Sequence, residues 1–107
     1  AEMRETVVEK HLRKKATAAG ALVRKMVWPG HRGAPDRLVI WPDAVLGLIA
    51  SGADGGPRID FVELKRPGGT LEDHQVREHE KLRSMGCTVY TLDSIEAVDR
   101  YIAERTT

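Results

Sequence analysis

Two acids sit inside apolar runs of this chain: Asp36 in Gly33-Ala34-Pro35-Asp36-Arg37-Leu38-Val39-Ile40, and Glu63 in Ile59-Asp60-Phe61-Val62-Glu63-Leu64-Lys65. A strand-like run would take a hydrophobe at either place, and a charge buried without a partner is costly. A metal ion supplies such a partner. Two hard oxygen ligands from neighbouring strands suit Mg²⁺, which takes one or two carboxylates, keeps several waters and accepts phosphate oxygens. Side chains alternate along a strand, so Glu63 and Lys65 project to one face while Val62 and Leu64 point to the other. An acid and an amine then flank one point in space. The chemistry implied is metal-assisted attack of water on a phosphodiester: carboxylates hold the ion, the ion activates water, and the ammonium stabilises charge or positions the nucleophile.

The elements that must position these groups are readable from periodicity. Residues 2–19 read as a helix, with Val8, Leu12, Ala16 and Ala19 at helical spacing and Gly20 as a stop. Glu9 lies at the rim of that stripe and Glu5 one turn before it, so either can face the site; equally, Glu9 can pair with Arg13 four residues on. Residues 21–28 read as a strand, 29–33 as a glycine-rich loop, and 37–41 as a second strand closed by Pro42-Asp43. Residues 45–50 form a further apolar run and 51–57 a flexible connection, which makes the stretch from Asp36 to Glu63 longer than a simple hairpin requires. Arg66-Pro67-Gly68-Gly69 turns the chain, and Thr70 with Asp73 resembles an acidic capping box opening a helix that ends near Met85 before Gly86. Leu71, Leu82 and Met85 mark its expected inner face. Gln75 shares that face, and a polar side chain pointing inward has a hydrogen-bonding task. Residues 87–92 read as a last strand, and Asp93 with Glu96 as the cap of a final helix carrying Ile95, Val98, Tyr101 and Ile102. This order implies an α/β layer fold, a mixed sheet flanked by helices.

Composition excludes several classes. With 107 residues, 41% hydrophobic and 31% charged, the chain suits one globular domain, residues 1–107, with a single core. No apolar run approaches the length of a membrane span and no signal-peptide pattern opens the chain, so no membrane partner and a cytoplasmic location are expected. Cys87 is the single cysteine, which rules out an internal disulfide. The 17 basic and 16 acidic residues nearly cancel, but Arg13, Lys14, Lys15, Arg24, Lys25, Arg32, Arg37, Lys65 and Arg66 can still form a local basic surface. The histidines and Cys87 lack the grouping of a zinc site. Pro67-Gly68-Gly69-Thr70 lacks the lysine of a phosphate-binding P-loop, and no Ser/His/Asp signature is present. His31, in the loop before Asp36, can touch substrate phosphate or simply be solvated. Trp28 and Trp41 are read as core or interface residues in preference to base-stacking platforms.

Pro35-Asp36 followed by Glu63-Leu64-Lys65 resembles the PD-(D/E)XK nuclease superfamily. With Pro29-Gly30, Gly33 through Leu38, Phe61 through Lys65, Pro67-Gly68-Gly69 and Leu71 through Gln75, the text is similar to its virus-type replication-repair nuclease (VRR-NUC) branch over nearly the whole chain. The resemblance implies a restriction-endonuclease-like core and a metal-dependent endonuclease acting on DNA, leaving a 5′-phosphate. It implies Mg²⁺ or Mn²⁺ held by Asp36, Glu63 and the main-chain carbonyl of Leu64. Glu9, or Glu5 in its stead, would complete the site directly or through water, as in the related archaeal junction resolvases. Lys65 would contact or help deprotonate the attacking water, and Gln75 would orient it. Short phage-like domains of this family resemble homodimeric Holliday-junction resolvases, so branched DNA and a second copy of the chain are the expected partners, in a bacterial or phage-infected cell. Flap or nick processing, or non-catalytic nucleic-acid binding on the same fold, are the alternatives.

Overall fold

The computed structural model describes residues 4–42 and 58–107. Helix α1 (Glu5–Ala18) is followed by strands β1 (Leu22–Lys25), β2 (Arg37–Trp41) and β3 (Arg58–Leu64), then α2 (Asp73–Ser84), β4 (Thr88–Leu92) and α3 (Ile95–Thr106). The four strands form one sheet in the order β1-β2-β3-β4. β1 and β2 pair antiparallel, as do β2 and β3, whereas β3 and β4 run parallel. That mixed sheet with its helices is the expected architecture, and the parallel pair is joined through α2 as a β-α-β connection must be. The apolar run expected at 45–50 and the connection at 51–57 lie outside the described residues, as do the first residues of the expected N-terminal helix. No described helix is long and apolar enough to cross a membrane.

Alternation along the strands divides the sheet into two unlike faces. One face is dry: Val23, Val39, Trp41, Val62, Leu64 and Leu92 meet Val8, Leu12 and Ala16 of α1 and Ala97, Val98 and Tyr101 of α3. Gly20 ends α1 with a positive φ of 98°, a conformation that glycine adopts without strain. Ser94, not Asp93, caps α3, its Oγ accepting the Ala97 N–H at 3.0 Å.

The dry face also holds a buried charge that periodicity does not reveal. Asp60 shares the parity of Val62 and Leu64 and is completely buried. Its Oδ2 accepts from Arg105 Nε at 2.8 Å and from the Tyr101 hydroxyl at 2.6 Å. Trp41 Nε1 in turn donates to that hydroxyl at 2.9 Å, and Arg105 also donates to the Tyr90 hydroxyl. The guanidinium lies 5.0 Å from the Tyr90 ring centre, a cation–π contact. Arg58 adds a second cation at 3.5 Å from Oδ1. Burial, followed by the Asp60 charge and its accepted hydrogen bond, pushes the Tyr101 hydroxyl well above its ordinary pKa, so it stays a donor. Trp41 and Tyr101 are thereby core residues with satisfied polar tips.

Helix α2 departs from expectation. Met85 is 82% exposed and forms no part of an inner face. The buried residues of α2 are Glu78 and His79, with Gln75 and Leu82 half-buried on the same side. Its N-cap is Glu72, and Gln75 at the N3 position accepts the Glu72 backbone N–H at 2.8 Å, so the capping box lies two residues beyond Thr70. A polar inner face must meet polar partners, and those are on the second face of the sheet.

Candidate active site

That second face carries Asp36, Glu63 and Lys65. The pairing of Arg37 with Val62 places the preceding residue, Asp36, beside Glu63 on the adjacent strand. The link is tightened by the Leu64 N–H, which donates to Asp36 Oδ1 at 3.3 Å, and by Met26 N–H donating to the Asp36 carbonyl at 3.0 Å. The Leu64 side chain is in the core, and its main chain passes between the two acids and Lys65. The Lys65 N–H, donating to the Leu92 carbonyl at 3.0 Å, fixes the strand end on which the ammonium is carried.

Burial raises the pKa of Asp36 above its ordinary value, against the opposing effects of Arg37 and the Leu64 N–H. Glu63 is pushed further, to about 8, first by burial and then by the Asp36 charge, with Lys65 countering only in part. Two desolvated carboxylates side by side are short of positive charge. Glu63 Oε1 is buried with no hydrogen-bond partner. A hard divalent cation with oxygen ligands fits this deficit. Among the described residues no third His, Cys, Asp or Glu joins the pair as a ready ligand group, which leaves main-chain oxygen, water and substrate to complete a coordination shell of the Mg²⁺ kind.

Helix α2 supplies the support. Lys65 Nζ donates to Gln75 Oε1 at 2.9 Å, the same oxygen that caps the helix, so Gln75 fixes the amine. His79 is fully buried below Glu63, with Nε2 at 3.6 Å from Glu63 Oε1. Burial, then Arg83, lowers its pKa from the ordinary value, so the ring is neutral at pH 7. Glu78 pairs with His31 of the β1–β2 loop at 2.8 Å, and Trp28 of that loop packs edge-on against Phe61 with ring centres 6.4 Å apart.

No family model matches the chain. A solved structure described as a VRR_NUC domain superposes with a TM-score of 0.75 at 36% sequence identity, covering 94% of this chain and 96% of that one. A phage protein described as "Putative nuclease p44", from Acyrthosiphon pisum secondary endosymbiont phage 1, is 39% identical over 92 residues, 86% of this chain and 85% of its own length. The chain belongs to the VRR-NUC family of nucleases.

On this VRR-NUC fold the acids of α1 stand in different surroundings. Glu9 accepts from Arg13 Nε at 3.3 Å and lies 3.9 Å from Arg37, so it is already matched with cations. Glu5 is the α1 carboxylate whose charge bears on both Asp36 and Glu63. It lines an open cleft with Lys65, Arg66, Gly68, Gly69, Thr70 and Glu72, and a neighbouring one with Thr6, Glu9, Lys10 and Arg37. Reading α1 alone could not separate the two, because they differ in which strand residue each meets. His79 and Glu78 were missed, although their signal was present. Gln75, Glu78, His79 and Leu82 fall at i, i+3, i+4 and i+7, and a helix whose core stripe is polar has to face polar groups on the VRR-NUC sheet.

Gly33 joins the loop to this face. Its φ is +90°, and a Cβ there would stand 2.5 Å from the His74 carbonyl oxygen. Gly33→Ala is therefore expected to cost about 2 kcal/mol or more in stability. It should also push the first turn of α2 away from Lys65. Thermal melts and turnover per folded molecule will both fall; an unchanged melting temperature would contradict the close approach.

Proposed function

We propose that this VRR-NUC chain is a Mg²⁺- or Mn²⁺-dependent DNA endonuclease that cuts four-way junctions as a homodimer. The observation that carries the reading is the Asp36–Glu63 pair, two desolvated carboxylates held in register with one oxygen unpartnered and an ammonium two residues further along the same strand face. Asp36 and Glu63, with the Leu64 carbonyl, would hold the ion, and an α1 acid would complete the site through water. Glu5 is the better placed for this, Glu9 being engaged with Arg13 and Arg37. When bound, the ion supplies charge stabilisation of the phosphate and a water acidic enough to attack at neutral pH.

The chain's own groups do the remainder. Lys65, pinned by Gln75 through one of its protons, keeps further N–H donors for the attacking water or a non-bridging phosphate oxygen, where negative charge develops. Gln75 acts by orienting that amine. Family resemblance supports branched DNA as substrate, and symmetry supports the dimer: a junction of two-fold symmetry needs two cuts, and a C2 pair offers two identical sites.

The test is cleavage of a labelled immobile four-way junction beside a 5′-flap and a linear duplex, with Mg²⁺, Mn²⁺ or chelator. Lys65→Ala serves as the control and should lose about 10²–10³-fold in rate. Paired symmetric cuts and a dimer by light scattering are expected. Flap-only cutting by a monomer would keep the nuclease and discard the resolvase; metal-independent binding without cutting would leave a binding module.

A further inference from the structure

His79 is the largest investment of this site that the chemistry above does not use. It is a wholly buried polar ring at the centre of α2, and neither Nδ1 nor Nε2 has a hydrogen-bond partner. Buried polar groups are nearly always partnered, so two orphan atoms on one ring call for an explanation. A complementary atom close by is itself an orphan, Glu63 Oε1, at 3.6 Å from Nε2. That separation is beyond a hydrogen bond but closes with a shift of a few tenths of an ångström.

We propose that His79 is the positioning residue for Glu63: its imidazole donates Nε2–H to Glu63 Oε1, and so turns the other oxygen toward the ion and its water. The inference rests on the metal-dependent reading of the site. The chemistry is complementary. An ionised carboxylate can only accept, and a neutral imidazole has one donor to give. Sealing both atoms from solvent leaves each the other's available partner, and the opposite tautomer would leave a buried N–H at Nδ1 unpartnered and set the Nε2 lone pair against that of the carboxylate oxygen. The ring is held for this purpose. Glu78, the preceding residue, ties α2 to the β1–β2 loop through His31, and Gln75, one turn earlier, ties it to Lys65. Three successive inward positions of one helix thus each hold one element of the site: amine, loop and carboxylate. A buried hydrogen-bonding partner behind a metal-binding carboxylate typically governs affinity about 10–100-fold.

The experiment compares wild type with His79→Gln, His79→Asn and His79→Leu. The glutamine amide can reach the place of Nε2, whereas the asparagine amide reaches only that of Nδ1. Mg²⁺ affinity is read by calorimetry, and the wild-type ring tautomer by ¹⁵N NMR, both with Mg²⁺ and without metal. The Nε2–H tautomer is expected, with Mg²⁺ binding weakened about 10–100-fold in His79→Leu and His79→Asn and largely restored in His79→Gln. An Nδ1–H tautomer, or equal affinities for the Gln and Asn variants, would overturn the proposal. Should His79→Leu fail to fold, the Gln–Asn pair and the tautomer still decide. Should wild type bind no Mg²⁺, the metal-dependent reading fails, while the metal-free spectrum still reports on the His79–Glu63 bond.

Discussion

Glu63→Gln is expected to abolish cleavage and, in the same molecule, to make the metal-free protein more stable at alkaline pH than the wild type. The first effect follows from losing one of the two carboxylates that would hold the ion. The second follows from the price of keeping Glu63 charged in a desolvated place. Its folded-state pKa of about 8 lies above the ordinary value of 4.5, so between those limits the folded chain binds more protons than the unfolded one. Stability therefore falls as pH rises through that window, and the full penalty is present above about pH 8. Its size is roughly 3–5 kcal/mol, a large share of what a domain of this length has to spare. Burial of Asp36 adds a contribution of the same sign. Glutamine has no charge to desolvate, so the variant's urea midpoint should decline much less between pH 6 and 9 than that of the wild type. Saturating Mg²⁺ should flatten the wild-type curve and leave the variant unmoved. A parallel decline in both proteins would show that Glu63 is not the group responsible.

Asp60→Ala is expected to destabilise the protein by about 3–5 kcal/mol, since it leaves Arg105 buried in the core without its counter-charge. At this chain length each kcal/mol corresponds to roughly 4–8 °C in melting temperature, so the variant should melt tens of degrees lower or not fold at 37 °C. Replacing both partners, Asp60→Leu with Arg105→Met, should recover most of the loss, because the cost lies in the uncompensated charge and not in the absence of the pair. Cleavage per folded molecule should be the same in the double variant as in wild type, since Asp60 faces away from Glu63 and Lys65. A double variant as unstable as Asp60→Ala would instead assign the energy to the geometry of the Tyr101–Asp60–Arg105 network itself.

The architecture was legible where periodicity and stop signals agree. The α1 stripe of Val8, Leu12 and Ala16, β2 at 37–41 and the terminating glycines 20 and 86 all stand where their spacing puts them. So does the parity that turns Glu63 away from Val62 and Leu64. What eluded the sequence were polar groups whose partners are distant along the chain. Asp60 looks like any acid flanking a strand until Arg105, forty-five residues on, is brought under the sheet. It could have been suspected, because Arg105 continues the Val98–Tyr101 side of α3 by one turn, an unlikely place for a cation without a buried acid to meet. Helix α2 misled for the opposite reason. Leu71, Leu82 and Met85 read as one inner face by type, but Leu71 precedes the helix and Met85 lies beyond its last turn on the outside. The placement of the α1 acids needed tertiary geometry, as Glu5 and Glu9 are alike in sequence and differ in their neighbours across space.

Strand β3 carries two unrelated duties on alternate residues. Positions 60, 62 and 64 belong to the fold, and position 63, with Lys65 just past the strand's end, to the proposed chemistry. Inherited variation in this short stretch is consequently sorted by the parity of its number: damage at an even position reduces how much protein accumulates, and damage at 63 or 65 yields abundant but idle protein. A lineage abandoning the activity could drift at positions 63 and 65 without losing the domain, while one retaining it is constrained on both faces of this stretch.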